Sequence, residues 1–453
     1  MRCKLNKTMG KKTLLHSCDE VEVETKDQKY KGLLMPNSDS KKIILKLKSG
    51  YNVGIFKKDV KKMQVIKKTK KNAKACEKSL EPKLKKIKQK HNNKLPTISI
   101  LHTGGTIASK IDYATGGVSA KFTPEELLDL FPELRKIANI NSRLLSNMWS
   151  GDMRFYHHNY IAKEIKKELA KGVDGIIVTH GTDTMGYTAA ALSFILEGLS
   201  MPILLVGSQR SSDRGSSDAA LNLLCAAQYI TKSDFGEVGI CMHEDSSDES
   251  CVILPATKTR KMHTSRRDTF RAISTDPYAT VSKQGTINHF NKNYTKKDKN
   301  KKVKIKPIKE TLKIGMVKFR PNFYAKELEH YKTFDGLIIE GTGLGNGPVD
   351  VIDEATKEHN KILKTITQLC QKLPVVMTSQ TIYGRVNMNV YTYGRKLKEA
   401  GVLGDYSDML PETAYIKLAW LLSNYPKNKV KEMVQENLRG EITKRSLQHE
   451  FTE

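Results

Sequence analysis

Hydrophobic and polar residues alternate along the first part of the chain with a period of two, as is typical of half-buried β-strands. The run EVEVE at 20–24 places two valines on one side of a strand and three glutamates on the other. Four similar runs follow: YKGLLM (30–35), KKIILKLK (41–48), YNVGIF (51–56) and MQVIKK (63–68). Because no helical pattern interrupts these runs, they predict a small SH3-like β-barrel with a basic tail over residues 1–68.

After Pro96 the pattern changes to apolar runs that alternate with helical segments. Three continuous apolar runs each end in a Gly-rich or polar loop: TISILH (97–102), GIIVTH (175–180) and PILLVG (202–207). Helical patterns lie near 184–197 and 217–230. Uninterrupted apolar runs of this length are typical of parallel strands that are buried on both faces.

A second set of strands and helices begins near residue 314. Its strand-like runs are LKIGMVKF, GLIIEG (336–341) and PVVMTS (374–379), and helical patterns lie near 353–372 and 411–423. Two successive α/β units predict two domains, a catalytic one over 96–290 and a second one, with the tail, over 314–453. Open α/β sheets bind ligands at the carboxyl ends of their strands. We therefore expect the functional residues in the loops that follow the strands.

The net charge of +28 is confined to two segments. Residues 1–95 carry 28 Lys and Arg against 9 acidic residues, a net charge of +19, and their last part, 69–95, predicts a lysine-rich linker. Residues 291–313, a basic linker or insert, carry 10 against 2, a net charge of +8. The remaining 335 residues carry +1. Lysines of the insert could either bind a polyanion or solvate a loop, and the sequence leaves both open.

Cysteine spacing, apolar run length and histidine placement limit the other classes of protein. The seven cysteines are widely spaced and form no CxxC pair, so we expect reduced, buried thiols. No run approaches the roughly 18 apolar residues of a membrane span, and the start lacks a signal peptide's apolar core, which predicts a cytoplasmic protein without membrane contact. His157-His158 and His243-Glu244 lack metal-site spacing, so no metal is expected.

Three motifs carry candidate chemistry: HTGGTIAS (102–109), HGTDTMGYTAAAL (180–192) and TKTRKMHTSRRDTF (257–270). Each motif alone has a structural explanation, as a glycine turn, a helix cap formed by Asp183, or a basic loop. Together they supply threonines, an aspartate and a lysine. This is the composition needed for a hydroxyl nucleophile that is activated by a neighbouring base and oriented by a third group.

The pair TGGTIAS and HGTDTM resembles the signatures of the L-asparaginase family, and the resemblance spans about residues 96–425. It implies a two-domain α/β fold of the asparaginase/glutaminase type, here preceded by the small barrel. Thr103 corresponds to the family's nucleophile, and Thr182 and Asp183 correspond to its second threonine and aspartate. When the motifs are aligned on the distance to Phe270, Lys261 rather than Lys258 matches the lysine of the Thr-Lys-Asp triad.

The resemblance also implies substrate-binding residues. Tyr113, in YATGGV, matches the tyrosine of the mobile loop over the nucleophile, and Ser150, in SGDM, matches the serine that holds the substrate α-carboxylate. Asn346, in GTGLGNG, matches an asparagine contributed by a second copy, which implies a homodimer. Gly151 departs from the family, which has a glutamine there that binds the substrate amino group. The preference between glutamine and asparagine is therefore open.

Within the family, the N-terminal barrel, the sequence KMHTSRRD and the run SQTIYGRVNMNVY (379–391) resemble the D subunits of archaeal glutamyl-tRNA(Gln) amidotransferases. The resemblance implies a homodimer within a heterotetramer, in which D hydrolyses glutamine. The E subunit makes most of the contacts with tRNA(Gln), phosphorylates its glutamate and captures the ammonia. This chain has no GxxxxGK[ST], and GTGLGNG does not fit GxGxxG, so we expect ATP and Mg²⁺ on the partner and no cofactor here.

The expected reaction is attack by the Thr103 hydroxyl on the side-chain carboxamide of glutamine, which gives a glutamyl ester that water then hydrolyses. Lys261 can act as the base through Thr182 only when its amine is neutral, and Asp183 is assigned to orienting it. Main-chain N–H groups of the two Gly-Thr loops would bind the oxyanion. Two alternatives remain open: a stand-alone L-asparaginase with an N-terminal extension, and an RNA-binding protein whose amidase body is a scaffold.

Overall fold

The structure is a computed structural model, and it describes residues 19–35, 41–47, 52–68, 92–111, 118–120, 131–212 and 216–451. It contains an N-terminal antiparallel sheet, a large α/β domain and a smaller α/β domain, which confirms the predicted fold class. Tyr113 and nearly all of the linker predicted at 69–95 lie outside the described residues.

The N-terminal sheet has five antiparallel strands in the order β4-β3-β2-β1-β5. They are β1 (Glu20–Glu24), β2 (Lys29–Met35), β3 (Lys42–Leu47), β4 (Asn52–Phe56) and β5 (Lys62–Lys67). Val21, Val23 and Leu45 are completely buried, while the glutamates of β1 are half-buried. The alternation in the sequence therefore gives one buried and one solvated face, as predicted.

The larger α/β domain, the one predicted to be catalytic, is built on an eight-stranded sheet of order β18-β17-β14-β13-β12-β10-β6-β9. Its strands are β6 (Thr97–Gly104), β9 (Asn139–Met148), β10 (Gly175–Thr179), β12 (Ile203–Val206), β13 (Val238–His243), β14 (Ser250–Pro255), β17 (Ala279–Ser282) and β18 (Ile287–His289). Three two-stranded ladders pair β7 (Ser109–Ile111) with β8 (Val118–Ala120), β11 (Leu196–Glu197) with β19 (Lys304–Ile305), and β15 (Thr259–Lys261) with β16 (Phe270–Ala272). The neighbouring strands β9, β6, β10, β12 and β13 run parallel to one another. The pairs β13-β14, β14-β17 and β17-β18 are antiparallel.

Helices cover both faces of this sheet. Those of the domain are α1 (Leu134–Ile137), α2 (Phe155–Leu169), α3 (Met185–Ile195) and α4 (Ala219–Lys232). Ile176 and Val178 of β10 enter the core that contains α2 and α3, whereas Ile177 enters the core that contains α4. Burial on both faces is the physical reason why this strand is a continuous apolar run.

The smaller domain has three parallel strands, in the order β20-β21-β22, with helices around them. Its elements are β20 (Ile314–Lys318), α5 (Ala325–Glu329), β21 (Gly336–Gly341), α6 (Glu358–Lys372), β22 (Val375–Ser379), α7 (Thr392–Glu399), α8 (Pro411–Asn424) and α9 (Lys427–Met433). Helix α8 packs against both α3 and β21, and its Trp420 ring lies 5.4 Å from that of Phe194. The two domains therefore share one core.

Residues 291–313 join the two domains through specific contacts. Val303 and Ile308 are buried in the shared core. Asn159 of α2 donates to the Ile308 carbonyl at 2.7 Å and accepts from its N–H at 2.9 Å, while Trp420 donates to the Lys306 carbonyl at 3.1 Å. Among the described helices, none combines the length and apolar character that crossing a membrane requires.

Candidate active site

Two glycine-containing loops meet at the carboxyl ends of neighbouring parallel strands. Thr103 is the next-to-last residue of β6 and is 1% exposed, and Thr182 follows β10. Gly105 has a φ of +78°, and a Cβ at this position would lie 2.5 Å from the Cα of Gly181. The loops therefore touch backbone to backbone, and glycine is required at the contact.

The Thr103 hydroxyl donates a hydrogen bond to the Thr179 carbonyl at 2.9 Å. The main-chain carbonyl of Thr103 accepts from the Ser146 hydroxyl at 3.0 Å. The side chain is thus fixed in the floor of the site by the neighbouring strands. Because its proton points to a carbonyl, the hydroxyl must turn towards a base before it can attack a substrate.

Lys261 brings together three of the predicted catalytic residues. It is the last residue of β15, and its Nζ donates to Thr182 Oγ1 at 2.9 Å and to Asp183 Oδ1 at 2.7 Å. The Lys261 side chain is 16% exposed, whereas that of Asp183 is 77% exposed. Thr182 accepts this hydrogen bond, and it can pass a proton to Lys261 only when the amine is neutral and has a free lone pair.

The hairpin that carries Lys261 is clamped by an ion-pair cluster around Asp268. This buried carboxylate accepts two hydrogen bonds from Arg266, at 2.9 and 2.8 Å, and one from Arg271 at 3.1 Å. Hydrogen bonds from Arg266 lower the pKa of Asp268 to about 2. Lys261 pairs directly with Phe270 across the hairpin. The segment that reads as a basic loop in the sequence is therefore a rigid support for Lys261.

Lys258, the alternative triad lysine, has a different partner. Its Nζ donates to Asp408 Oδ2 at 2.9 Å and to the Asp408 carbonyl at 2.8 Å. Both side chains are buried, with exposures of 1% and 0%. This ion pair fastens the hairpin to the smaller domain, and Lys261 is the lysine that contacts Thr182.

Ser150 lies beside the second loop. It begins a short 3-10 turn, Ser150–Asp152, separated from the end of β9 by one residue, and its Oγ lies 2.9 Å from the position of a Cβ added to Gly181. Thr184 donates to the Ser150 carbonyl at 2.7 Å. No atom of the described residues lies within 4 Å of a Cβ built on Gly151, so space is open where the family has glutamine.

Asn346 belongs to the smaller domain. It closes a turn after β21 by two main-chain hydrogen bonds with Thr342, both 2.9 Å long. Its Oδ1 is buried and accepts no hydrogen bond from the described residues. No hydrogen bond within the described part of the chain links it to Thr103, Thr182 or Lys261.

Buried histidines support the loops, a role that the sequence did not predict. His102 contacts Thr179 Oγ1 at 2.9 Å and Ser142 Oγ at 2.8 Å, and His180 contacts Thr188 Oγ1 at 2.9 Å. Burial lowers the pKa of His102 and of His180 to about 4. Both rings are therefore neutral at neutral pH and position the strand ends without adding charge.

Three buried thiols lie together in the core of the catalytic domain. Cys251 donates to Asn222 Oδ1 at 3.2 Å, and Cys225 and Cys241 lie in the same cluster. Burial raises the pKa of Cys241 and Cys251, so neither of these two is an activated thiolate. Within the described ranges, no group of three or more His, Cys, Asp or Glu residues is arranged to hold a metal ion.

Three regions of the chain match known domain families. Residues 97–295 match the N-terminal domain of asparaginase, and residues 313–434 match the glutaminase/asparaginase C-terminal domain. Residues 15–66 match the GatD N-terminal domain. The first two matches cover the two α/β domains, and the third covers the N-terminal sheet.

Curated relatives match nearly the full length of the chain. It is 44% identical over 421 residues to the D subunit of the glutamyl-tRNA(Gln) amidotransferase from Pyrococcus furiosus, with 91% of each chain covered. It is also 44% identical over 422 residues to the corresponding D subunit from Thermococcus kodakarensis, with 91% of this chain and 90% of the relative covered.

Solved structures of L-asparaginases have a similar fold. The thermostable L-asparaginase from Thermococcus kodakarensis is similar with a TM-score of 0.68 at 27% identity, over 77% of this chain and 99% of the other. L-asparaginase I from Vibrio cholerae has a TM-score of 0.66 at 28% identity, with the same coverage of 77% and 99%. The solved asparaginases therefore cover less of this chain than the curated relatives do.

Proposed function

Because the chain belongs to the family of glutamyl-tRNA(Gln) amidotransferase D subunits, on an asparaginase-type fold, we propose that it hydrolyses glutamine and supplies ammonia for the amidation of glutamate on tRNA(Gln). The observation that carries this proposal is the contact of Lys261 with Thr182 and Asp183, beside the loop of Thr103. A hydroxyl nucleophile, a proton route and a charged partner thus share one end of the sheet.

In the first step, Thr103 Oγ bonds to the carboxamide carbon of glutamine while its proton passes through Thr182 to neutral Lys261. The carbon–nitrogen bond then breaks, and the leaving nitrogen takes a proton from Lys261 and departs as ammonia. The product is a glutamyl ester on Thr103. Water adds to this ester by the same proton route, which releases glutamate and regenerates the hydroxyl.

Asp183 affects this cycle through its exposure. A carboxylate 2.7 Å from Lys261 stabilises the ammonium form, which cannot accept a proton. Since the Asp183 side chain is 77% exposed, it can turn to the ammonium group of a bound substrate. Its hold on Lys261 would then weaken when glutamine is in place, so that binding of substrate favours the neutral base.

The remaining contacts hold the ends of the substrate. Main-chain N–H groups of the two loops bind the oxyanion, and Ser150 binds the α-carboxylate. By the resemblance to the asparaginase family, Tyr113 would close over the site and Asn346 of a second copy would complete it, so the active form would be a homodimer. The open space at Gly151 leaves room for another residue to contact the substrate amino group.

A partner E subunit carries the chemistry that this chain lacks. It would bind ATP and Mg²⁺, make most of the contacts with tRNA(Gln), and form a heterotetramer with two copies of this chain in the cytoplasm. The basic N-terminal module would serve assembly or tRNA. Deletion of residues 1–95 should keep glutaminase activity within about threefold but weaken coupled amidation increasingly as salt rises, because screening acts on a polyanion's contacts.

The proposed function is tested by measuring glutamate release and tRNA amidation with the partner, ATP and charged tRNA. We expect Thr103→Ala to lose amidation with glutamine but to keep it with free ammonia. Loss of amidation with both nitrogen sources would contradict the separation of the two activities. A Thr103→Ala chain that still hydrolyses glutamine at the wild-type rate would exclude Thr103 as the nucleophile.

The fold similarity to solved L-asparaginases supports a second candidate, a stand-alone asparaginase with an N-terminal extension. Such an enzyme would act on asparagine at full rate without a partner. The ratio of kcat/KM for asparagine and glutamine, measured with and without the E subunit, separates the two candidates. A rate that the partner and tRNA do not change, with asparagine preferred, would favour the asparaginase.

A further inference from the structure

A basic segment crosses the face of the catalytic domain opposite the active site. We define residues 290–313 as the basic strap. The Asp298 N–H donates to the Ser200 carbonyl at 2.8 Å, and Lys299 lies 2.6 Å from Asp174. Ser200 and Asp174 precede β12 and β10, so the strap lies at the amino ends of these strands. The catalytic loops lie at the carboxyl ends, roughly 15 Å or more away along a five-residue strand.

The basic strap is held in place by apolar side chains that point inwards. Val303 and Ile308 are buried in the shared core, and β19 within the strap pairs with β11. Lys302 and Lys304, on either side of Val303, are exposed. Because the backbone is fixed, this alternation points the lysine side chains towards solvent in defined positions. Lysines in an irregular surface loop that only solvate a linker would not be held in this way.

Most of the cationic groups of the strap have no carboxylate partner. Of its ten lysines, three form ion pairs, with Asp234, Asp174 and Glu197. Within the described part of the chain, six exposed lysines form none: Lys292, Lys301, Lys302, Lys304, Lys309 and Lys313. The rest of the two α/β domains carries a net charge of only +1, so these lysines create a local positive potential. Such a potential attracts a polyanion.

An exposed aromatic ring lies at the start of the same segment. Phe290 follows the edge strand β18, is 57% exposed, and is fixed by a hydrogen bond from its N–H to the Tyr278 carbonyl at 3.0 Å. Lys292 follows two residues later. A ring beside free ammonium groups suits nucleic acid better than an acidic protein surface, because bases stack on rings while lysines neutralise phosphates.

We propose that the basic strap binds RNA, with its lysines on phosphates and Phe290 stacked on an unpaired base. The identification of this RNA as tRNA(Gln) rests on the proposed function. Because the strap and the catalytic loops lie at opposite ends of the strands, RNA on the strap does not compete with glutamine. The strap thus gives this chain its own contact with the RNA that the partner binds.

The test compares two triple variants of the full chain in binding to a tRNA(Gln) transcript. Lys301, Lys302 and Lys304 are changed to Gln in one, and Lys326, Lys364 and Lys372, exposed lysines of the smaller domain, are changed to Gln in the other. The strap variant should lose about tenfold or more in affinity at ~0.1 M salt, with a salt dependence shallower by about two to three contacts. The control should stay within about twofold of wild type.

Phe290→Ala tests stacking separately from charge. It should weaken tRNA binding by about fivefold or more and leave binding of a fully paired RNA duplex unchanged, while Phe290→Trp should restore tRNA binding. Equal losses in the strap and control triple variants would overturn the proposal. So would weaker binding of the E subunit, measured without RNA, together with unchanged RNA affinity, since the strap would then be a protein contact.

Glutaminase assays on the same proteins separate this proposal from the proposed function. The strap variants should keep wild-type glutaminase activity, since their side chains lie on the opposite face. Absence of Thr103-dependent glutaminase activity in the wild-type chain would defeat the proposed function, and the RNA measurement would still stand. Loss of RNA binding together with loss of glutaminase activity would contradict the independence of the two faces.

Discussion

Two lysines three residues apart, Lys258 and Lys261, each form an ion pair with an aspartate. The two pairs differ in their exposure to solvent and in the parts of the molecule that they join. Lys258 and Asp408 are 1% and 0% exposed and join two domains. Lys261 and Asp183 are 16% and 77% exposed and join two loops at the end of the sheet. The same two residue types thus form a closed pair in one place and an open pair in the other.

Burial decides what each pair can do. The closed pair has lost its hydration and depends on its partner and its hydrogen bonds, so removing one member leaves an uncompensated buried charge. An open pair contributes only about 0–1 kcal/mol to stability, because water competes with the partner. The contact between Lys261 and Asp183 therefore adds little to the fold, and the exposed Asp183 side chain is accessible to the substrate that the proposed mechanism places there.

Removal of the open pair's lysine should produce the largest effect on activity. Lys261→Ala is expected to reduce kcat for glutamine hydrolysis by about a hundredfold to ten-thousandfold, because the proton route of the proposed mechanism runs from Thr182 to this amine. Its melting temperature should stay within about 3 °C of wild type. Steady-state kinetics and thermal unfolding of the same preparation check both parts. Activity close to wild type would mean that another group is the base.

Removal of the closed pair's lysine should act on stability instead. Lys258→Met is expected to lower the free energy of unfolding by about 3–5 kcal/mol, because Asp408 is left buried without its ammonium partner. The double variant Lys258→Met with Asp408→Asn, which removes both charges, should recover most of this loss. Denaturant unfolding of the three proteins gives the comparison. A single variant as stable as wild type would refute the role of the pair in joining the domains.

Buried ionisable groups without a partner sharpen the comparison further. His158 is buried, neither of its ring nitrogens has a hydrogen-bond partner among the described residues, and burial lowers its pKa to about 3. The folded state holds the neutral ring, so stability is complete above about pH 6.5 and falls as the pH drops towards 3. The loss attributable to this ring should reach about 3 kcal/mol at pH 4.

The measurement for His158 is the unfolding free energy of wild type and His158→Leu between pH 7 and pH 4. The variant, which cannot bind this proton, should show a shallower decline on acidification. Parallel curves for the two proteins would show that His158 does not contribute to the pH dependence.

Weakening the clamp on the hairpin should have a smaller effect, on kcat. Asp268→Asn loosens the contacts with Arg266 and Arg271, and a displaced Lys261 amine is expected to lower kcat by about tenfold to a hundredfold with KM nearly unchanged. Asp248→Asn is the matched control, because Asp248 pairs with Arg267 at 2.5 Å but its side chain is 64% exposed. Similar kcat values for the two variants would contradict the positioning role of Asp268.

Much of the fold could be predicted from local patterns in the sequence. The first strand of the N-terminal sheet and the strand at 336–341 have the predicted bounds, because alternation in the first and burial on both faces in the second leave clear signals. The helix predicted near 353–372 begins at Glu358 instead, since Asp353 caps a separate 3-10 turn by accepting from the Thr356 N–H at 3.0 Å. The sequence of such a capped turn has the same pattern as the start of a helix, so the predicted helix begins too early.

The site was predictable only in part. Motifs at strand ends indicated Thr103, Thr182 and Asp183. The two loops that carry them come together through a contact between Gly105 and Gly181, which are 76 positions apart in the sequence. The partner of Lys258 is 150 positions away, and no local pattern indicates it. The clamp around Asp268 was hidden because a loop with three arginines looks like a solvated surface.

Gly105 and Gly151 differ in whether a larger side chain can replace them. Gly105 contacts the backbone of the opposite loop, so any side chain there would move the loop of Thr103 away from the loop of Thr182. Gly151, one residue after Ser150, faces open space and has no strained backbone angle, so a larger side chain fits without moving its neighbours. If substrate binds beside Ser150 as proposed, substitutions at residue 151 should change substrate preference, by selection or by design, while the loops of Thr103 and Thr182 keep their geometry.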